Sequence, residues 1–136
     1  MLSPTLDTIR LFLHVLAAGI WVGGQIVLVG LVPGLRQVSP DATRIAARRF
    51  NRIAWPAFGV AVVTGMWGIF DIDVAGTTTS YQVTLGIKIL AVTLSGLAAA
   101  AHTVGQTKVV LAVGGALGLL GGLGALFLGV LLRSGT

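Results

Sequence analysis

The sequence predicts an all-α integral membrane protein, an antiparallel bundle of four transmembrane helices. Hydrophobic residues make up 55% of the 136 residues and charged residues only 10%, whereas a soluble domain of this size carries about 25% charged residues. Four apolar runs are each long enough to cross a bilayer. Their short connections favour an up-down-up-down arrangement in one transmembrane domain, residues 1–136.

The first predicted span covers residues 6–32 and is expected to stop at Pro33. Residues 39–52 are predicted to form a separate basic amphipathic helix, with Ser39 as its cap and Pro40 in its first turn. Arginines recur there at every fourth position, opposite an apolar side. This pattern indicates a helix lying on an anionic cytoplasmic leaflet, and no nucleic-acid partner is expected.

The other three spans are predicted at residues 53–70, 83–104 and 109–132. Five of the nine basic residues lie between the first and second spans, whereas the loop at 71–80 has two acids and no base. By the positive-inside rule, the basic connection is cytoplasmic and both termini lie outside the cytoplasm. The predicted location is therefore the inner (cytoplasmic) membrane, with the lipid bilayer as a partner.

Ionisable side chains inside the spans indicate the site, because a charge at membrane depth is costly. His14 and Lys88 both lie roughly 8–12 Å below the outer helix ends, counted at 1.5 Å per residue. Met66 is predicted at the same depth, whereas Arg10 and Trp21 share the polar stripe of His14. We expect such stripes to face the protein interior, since lipid offers no hydrogen-bond partner.

His14 is interpreted as an axial haem ligand or a copper ligand; the alternative is a neutral histidine hydrogen-bonded across helices. Haem matches better, because it needs one or two axial ligands, whereas copper takes several soft or imidazole ligands. Lys88 is interpreted as a second metal ligand or as a cation that binds a propionate. Its alternative is a lysine whose ammonium reaches the outer interface.

Four other residues carry two interpretations each. Arg10 is a propionate contact or an interface anchor, and Met66 is a sulfur ligand or part of the core. Trp21 is a cofactor contact, or it packs in the bundle or in the aromatic belt. His102 is an interfacial residue or the ligand of a second haem.

The fourth span carries small residues in place of ligands. Two neighbouring faces repeat every four residues: Gly114, Gly118 and Gly122, and Gly121, Ala125 and Gly129. Such faces allow helices to approach closely, either within the bundle or in a homodimer or a complex with a partner membrane subunit.

Three motifs carry a family resemblance: LHVLAAGIWVGG at residues 13–24, RRFNRIAW at 48–55 followed by Val63-Thr64-Gly65, and YQVTLGIKIL at 81–90. In order and spacing they resemble the copper-resistance D (CopD) family of membrane proteins. That resemblance implies a four-helix membrane unit that, in longer members, is part of a copper-uptake protein. The chain is also similar to the HemJ-type protoporphyrinogen oxidases, which carry b-type haem, and His14 and Lys88 match positions of interest in both.

The sequence therefore predicts a b-type haem-binding membrane protein for electron transfer, gas binding or a haem-dependent oxidoreductase reaction. The alternatives are a CopD-like copper transport protein and a structural subunit of a membrane complex. The chain has no cysteine, which excludes disulfides and thiolate metal sites.

Overall fold

The structure, a computed structural model, describes residues 1–135. It contains four long helices, α1 (Leu6–Val38), α2 (Pro40–Phe70), α3 (Thr79–Val104) and α4 (Lys108–Ser134), and a short 3₁₀ turn at Val74–Gly76. All four helices are long and apolar enough to cross a membrane. No strand occurs within residues 1–135. The predicted fold class is confirmed.

Each long helix begins at a serine or threonine whose side chain accepts a hydrogen bond from a backbone N–H of the first turn. The caps are Thr5, Ser39, Thr78 and Thr107. Such caps satisfy N–H groups that have no partner inside the helix. The predicted helix start at Ser39 and Pro40 is confirmed, because Ser39 accepts from Ala42 N and Pro40 occupies the first turn.

The predicted stop of the first helix at Pro33 is wrong, because α1 continues through Pro33 to Val38. Proline removes only its own N–H from the hydrogen-bond ladder, and membrane helices tolerate it where neighbouring groups compensate. The helix ends at Ser39, whose extended backbone still donates its N–H to Leu35 O. A single residue therefore separates α1 from α2.

The separate surface helix predicted at residues 39–52 is also corrected. These residues and the predicted second span form one continuous helix, Pro40–Phe70, with Pro56 in its interior. The segment before Pro56 is rich in alanine and arginine, which are good helix formers and give no reason for a break. The arginines therefore lie on the first half of α2 and not on a separate helix.

The third and fourth helices begin slightly before the predicted spans. α3 begins at Thr79, where 83 was predicted, because Thr78 caps the N–H of Tyr81. α4 runs over Lys108–Ser134, close to the predicted 109–132. The outward surfaces of all four helices carry many exposed large hydrophobic side chains, which suits contact with lipid.

The chain forms two compact units, one covering Met1–Ile72 and the other beginning at Asp73. In the first unit, α1 and α2 pack as an antiparallel pair. Small buried residues, Ala17 on α1 and Ala54 and Ala57 on α2, allow close approach of the two backbones.

In the second unit, the glycines of α4 pack against α3. A Cβ atom at Gly114 would lie 2.8 Å from Ala98 O, and one at Gly121 would lie 3.0 Å from Ala91 O. The buried Ser95 hydroxyl donates to Gly118 O at 2.6 Å. Of the two predicted uses of this glycine face, close packing within the chain is therefore present, whereas a homodimer or partner subunit stays a prediction.

Candidate functional site

His14 lies two turns into α1 and is held by α2. Its Nδ1 atom is 2.9 Å from Ala61 O and 3.0 Å from Thr64 Oγ1. The ring is partly buried. Both partners belong to one turn of α2, so the imidazole is fixed against that helix.

The hydrogen-bond network assigns the proton of His14 to Nδ1. Ala61 O is a carbonyl and only accepts. The Thr64 hydroxyl donates its own hydrogen to the backbone, with Val60 O at 2.6 Å and Ala61 O at 3.2 Å, so it presents lone pairs to the ring. Nδ1–H therefore donates to α2, and in the neutral imidazole Nε2 carries the lone pair.

Gly65 provides the space for the ring of His14. A Cβ atom at Gly65 would lie 3.2 Å from Cε1 and 3.6 Å from Nδ1 of His14. Thr64 is buried, with 5% of its surface exposed. The sequence singled out Val63-Thr64-Gly65 only as part of a family resemblance. The structure gives Thr64 and Gly65 a physical role as the cradle of His14.

Arg10 lies one turn from His14, toward the start of α1. Its Nε and Nη2 atoms donate to Asp7 Oδ1 at 3.0 and 2.8 Å, and Nη1 donates to Thr64 O at 3.4 Å. The arginine side chain is 14% exposed, whereas that of Asp7 is 60% exposed. The guanidinium lies over Gly68, where a Cβ would be only 2.5 Å from Nη1. Arg10 is thus placed beside the cradle of His14 and already binds one carboxylate.

Trp21 lies two turns farther along α1 and is buried. Its ring centroid is 5.1 Å from that of Trp55 and 4.5 Å from that of Phe58. These three rings form an aromatic layer between α1 and α2. Trp21 therefore has the packing contacts that were one of its two interpretations, and its role as a cofactor contact stays a prediction.

Met66 does not face α1 as Thr64 does. Two residues correspond to about 200° around a helix, so Met66 lies nearly opposite the buried Thr64. Its side chain is 49% exposed. The predicted depth of Met66, equal to that of His14, does not determine which side of α2 carries the Met66 side chain.

Lys88 lies in the second unit, on α3, and is partly buried. A Cβ atom at Gly129 would lie 3.1 Å from Lys88 Nζ and 3.5 Å from Cε. The ammonium group therefore lies against the backbone of α4 at Gly129. His14 and Lys88 belong to different units, and their predicted juxtaposition stays a prediction.

His102 connects the ends of α3 and α4. Its Nδ1 atom is 2.6 Å from Leu111 O, and its ring lies over Gly115. The residue is exposed, and its two interpretations, an interfacial residue or a haem ligand, stay predictions. The carbonyl contact assigns the Nδ1 proton here as well.

Metal-ligating side chains are sparse within residues 1–135. No group of three or more His, Cys, Asp and Glu residues able to hold a metal ion is found in this part of the chain.

Comparison of the chain with family models, with curated proteins and with solved structures finds no match.

Proposed function

We propose that this chain is an integral membrane protein that binds one b-type haem, whose iron His14 would hold through Nε2. The main support is the pair of hydrogen bonds at Nδ1, to Ala61 O and Thr64 Oγ1. Histidines that bind metals usually donate their other ring N–H to a fixed acceptor, which sets the tautomer and raises the basicity of the ligating nitrogen. His14 has this arrangement.

The available donors favour haem over a copper ion. His14 is the only histidine in the first 72 residues, and the chain has no cysteine. Met66, the sulfur ligand considered with it, lies on the other side of α2. Copper sites commonly combine several soft or imidazole ligands, whereas haem iron is held by one or two residues and an apolar slot. The single imidazole of His14 meets the ligand requirement of haem and falls short of that of copper.

Two further residues of the first unit have proposed roles. Arg10 would contact a propionate, because a guanidinium binds carboxylates well, as Arg10 does with Asp7. The aromatic layer of Trp21, Trp55 and Phe58 would supply apolar surface on the same helix pair. When bound, the haem would supply one-electron redox chemistry or a binding position for a small gas.

The proposed location is the cytoplasmic membrane, with both termini outside the cytoplasm. Arg36 and the four arginines of α2 lie at the same end of the first helix pair and are all exposed. An excess of basic residues near a span favours the cytoplasmic side. Since the pair is antiparallel, the N-terminus and the loop after Phe70 lie at its opposite end.

The proposal is tested with the full chain expressed in the presence of added haem and purified in detergent. The expected result is a Soret band and about one haem per chain. His14→Ala is expected to lose most of this band. The matched control is His102→Ala, which removes the other histidine and is expected to keep the Soret band.

Three results would contradict the proposal: colourless wild-type protein, an equal Soret band in His14→Ala, or an equal loss in His102→Ala. Elemental analysis of the same samples adds a second readout. Stoichiometric copper in colourless protein, lost on His14→Ala, would support the copper alternative instead.

A further inference from the structure

The first half of α2 carries a basic face, defined here as Arg44, Arg48 and Arg52. These arginines are four residues apart and therefore lie on one side of the helix. Phe50, between Arg48 and Arg52, packs against α1, because a Cβ atom at Gly24 would overlap its ring. Arg48 and Arg52 are each two residues from Phe50, about 200° around the helix. The basic face is therefore directed away from α1.

At the same level, α1 is apolar and exposed. Phe50 lies beside Gly24, so the residues after Gly24 run alongside the residues before Phe50 in this antiparallel pair. The exposed fractions of Ile26, Val27, Val29 and Leu31 are 49%, 61%, 62% and 54%. No charged residue occurs between Arg10 and Arg36. The end of the helix pair therefore has an apolar side on α1 and a basic side on α2.

The apolar side of α1 and the basic side of α2 together indicate the depth at which this end of the helix pair lies in a bilayer. The apolar run of α1, residues 11–32, is about 33 Å long, whereas that of α2, residues 53–70, is about 27 Å long. A hydrocarbon core is about 30 Å thick. In a bilayer, the longer run would keep α1 in contact with acyl chains at a level where α2 already carries arginines. Those arginines would then lie at the depth of the headgroups, which long cationic side chains reach readily.

We propose that the basic face binds the phosphate groups of anionic phospholipids in the same bilayer, while the apolar side of α1 contacts acyl chains. Charge complementarity supports this occupant, because guanidinium groups bind phosphate with two parallel hydrogen bonds. Asp41 is the acid on this side, and its pair with Arg44 is long, at 3.6 Å, with 70% and 78% of the two side chains exposed. An exposed pair of this kind is weak and leaves the face basic.

Because α2 is continuous, the basic face has a fixed position on the first helix pair. The basic face belongs to the same helix as Thr64 and Gly65. An anionic lipid bound there would therefore stabilise the first helix pair as a whole, and its effect is measurable as thermal stability. The assay needs no haem, so it is independent of the proposed function.

The experiment compares thermal unfolding of the full chain in nanodiscs of phosphatidylcholine with and without phosphatidylglycerol. Phosphatidylglycerol is expected to raise the melting temperature of the wild type, and added salt should reduce the increase. The variant Arg48→Gln/Arg52→Gln is expected to lose most of the increase. The control Lys108→Gln/Arg133→Gln removes the same amount of charge from the ends of α4. This control is expected to keep the full increase in melting temperature.

Equal increases in the Arg48→Gln/Arg52→Gln variant and the wild type would overturn the proposal, as would an equal loss in the control. Inorganic phosphate added to phosphatidylcholine nanodiscs is expected to have no effect, and an increase equal to that of the lipid would also overturn it. If the glutamine variant fails to fold, Arg48→Lys/Arg52→Lys provides the test. Lysine keeps the charge without the bidentate geometry, so a reduced increase supports the proposal and an unchanged one contradicts it.

Discussion

At the scale of single residues, one turn of α2 holds the imidazole of His14. Nδ1–H donates to two acceptors, Ala61 O and Thr64 Oγ1. Gly65 leaves the space that the ring occupies. The tautomer of His14 is therefore set by a backbone carbonyl and a hydroxyl of α2, and the ring's position by the absence of a side chain at Gly65. The proposed ligation through Nε2 depends on this arrangement.

Thr64→Val tests the contribution of the hydroxyl to this orientation. Valine keeps the shape of threonine but removes the acceptor, while Ala61 O remains. We expect haem affinity to fall by about tenfold, the lower end of the usual effect for residues that orient a metal ligand. Titration of haem followed at the Soret band measures it.

The matched control for this variant is Thr93→Val. The Thr93 hydroxyl bonds only its own helix, at Ile89 O. A loss of affinity of the same size in Thr93→Val would mean that the hydroxyl of Thr64 has no particular role.

Gly65→Ala tests the space beside the ring. The added Cβ would be 3.2 Å from His14 Cε1, so the imidazole must shift by a few tenths of an ångström. We expect a weaker Soret band and lower haem affinity, although alanine favours a helix by about 1 kcal/mol. Gly59→Ala, in open space on the same helix, should leave haem binding unchanged; equal affinities in the two variants would contradict the cradle.

The sequence selects candidate site residues more readily than it predicts the directions of their side chains. His14 stands out because an ionisable group on an apolar helix is rare. Thr64 does not stand out, since threonine is common in such helices and its partner lies 50 positions away. Counting residues gives the depth of Met66 but not its rotation about α2, and rotation depends on which neighbouring residues pack.

At the scale of the helices, the main difference from the sequence prediction is continuity. Pro33 and Pro56 both lie inside helices, where the first was expected to end one. Proline is a strong stop signal in soluble helices, but a packed membrane helix compensates for its missing N–H. The capping signal at Ser39 was reliable because it depends only on local hydrogen bonds.

Gly114→Ala tests the close contact of α3 with α4. Its Cβ would lie 2.8 Å from Ala98 O and 2.9 Å from His102 N. Both atoms belong to the backbone, so the helices must separate. We expect the free energy of unfolding to fall by about 1–3 kcal/mol, as is usual for an overpacked contact.

Unfolding in a detergent titration, followed by circular dichroism, measures this change. Gly124→Ala is the control, because nothing lies within 4 Å of its added Cβ. Equal stability of the two alanine variants would show that the glycines of α4 are not required for its packing.

At the scale of the whole molecule, the orientation in the membrane is open to a direct test. The natural chain has no cysteine, so single cysteines report position without background. In intact cells, a membrane-impermeant thiol reagent should label Ser3→Cys and Ala75→Cys. It should label Gln37→Cys and Gln106→Cys only after the membrane is opened. Labelling of Gln37→Cys in intact cells would contradict the proposed orientation.

The architecture of the molecule follows from composition, whereas its function does not. Four apolar runs and short connections are enough to predict four membrane helices. The family resemblance adds an expectation of haem or copper, which stays a prediction. The proposed function therefore depends on chemistry at His14.

The measurement that tests haem ligation by His14 most directly is chemical rescue of His14→Gly. The variant removes the imidazole and leaves a space beside Ala61 and Thr64, which an added imidazole molecule is able to fill. We predict that the Soret band of haem-loaded protein is lost in His14→Gly and returns when imidazole is added. A Soret band in His14→Gly equal to that of the wild type, with no response to imidazole, would contradict ligation by His14.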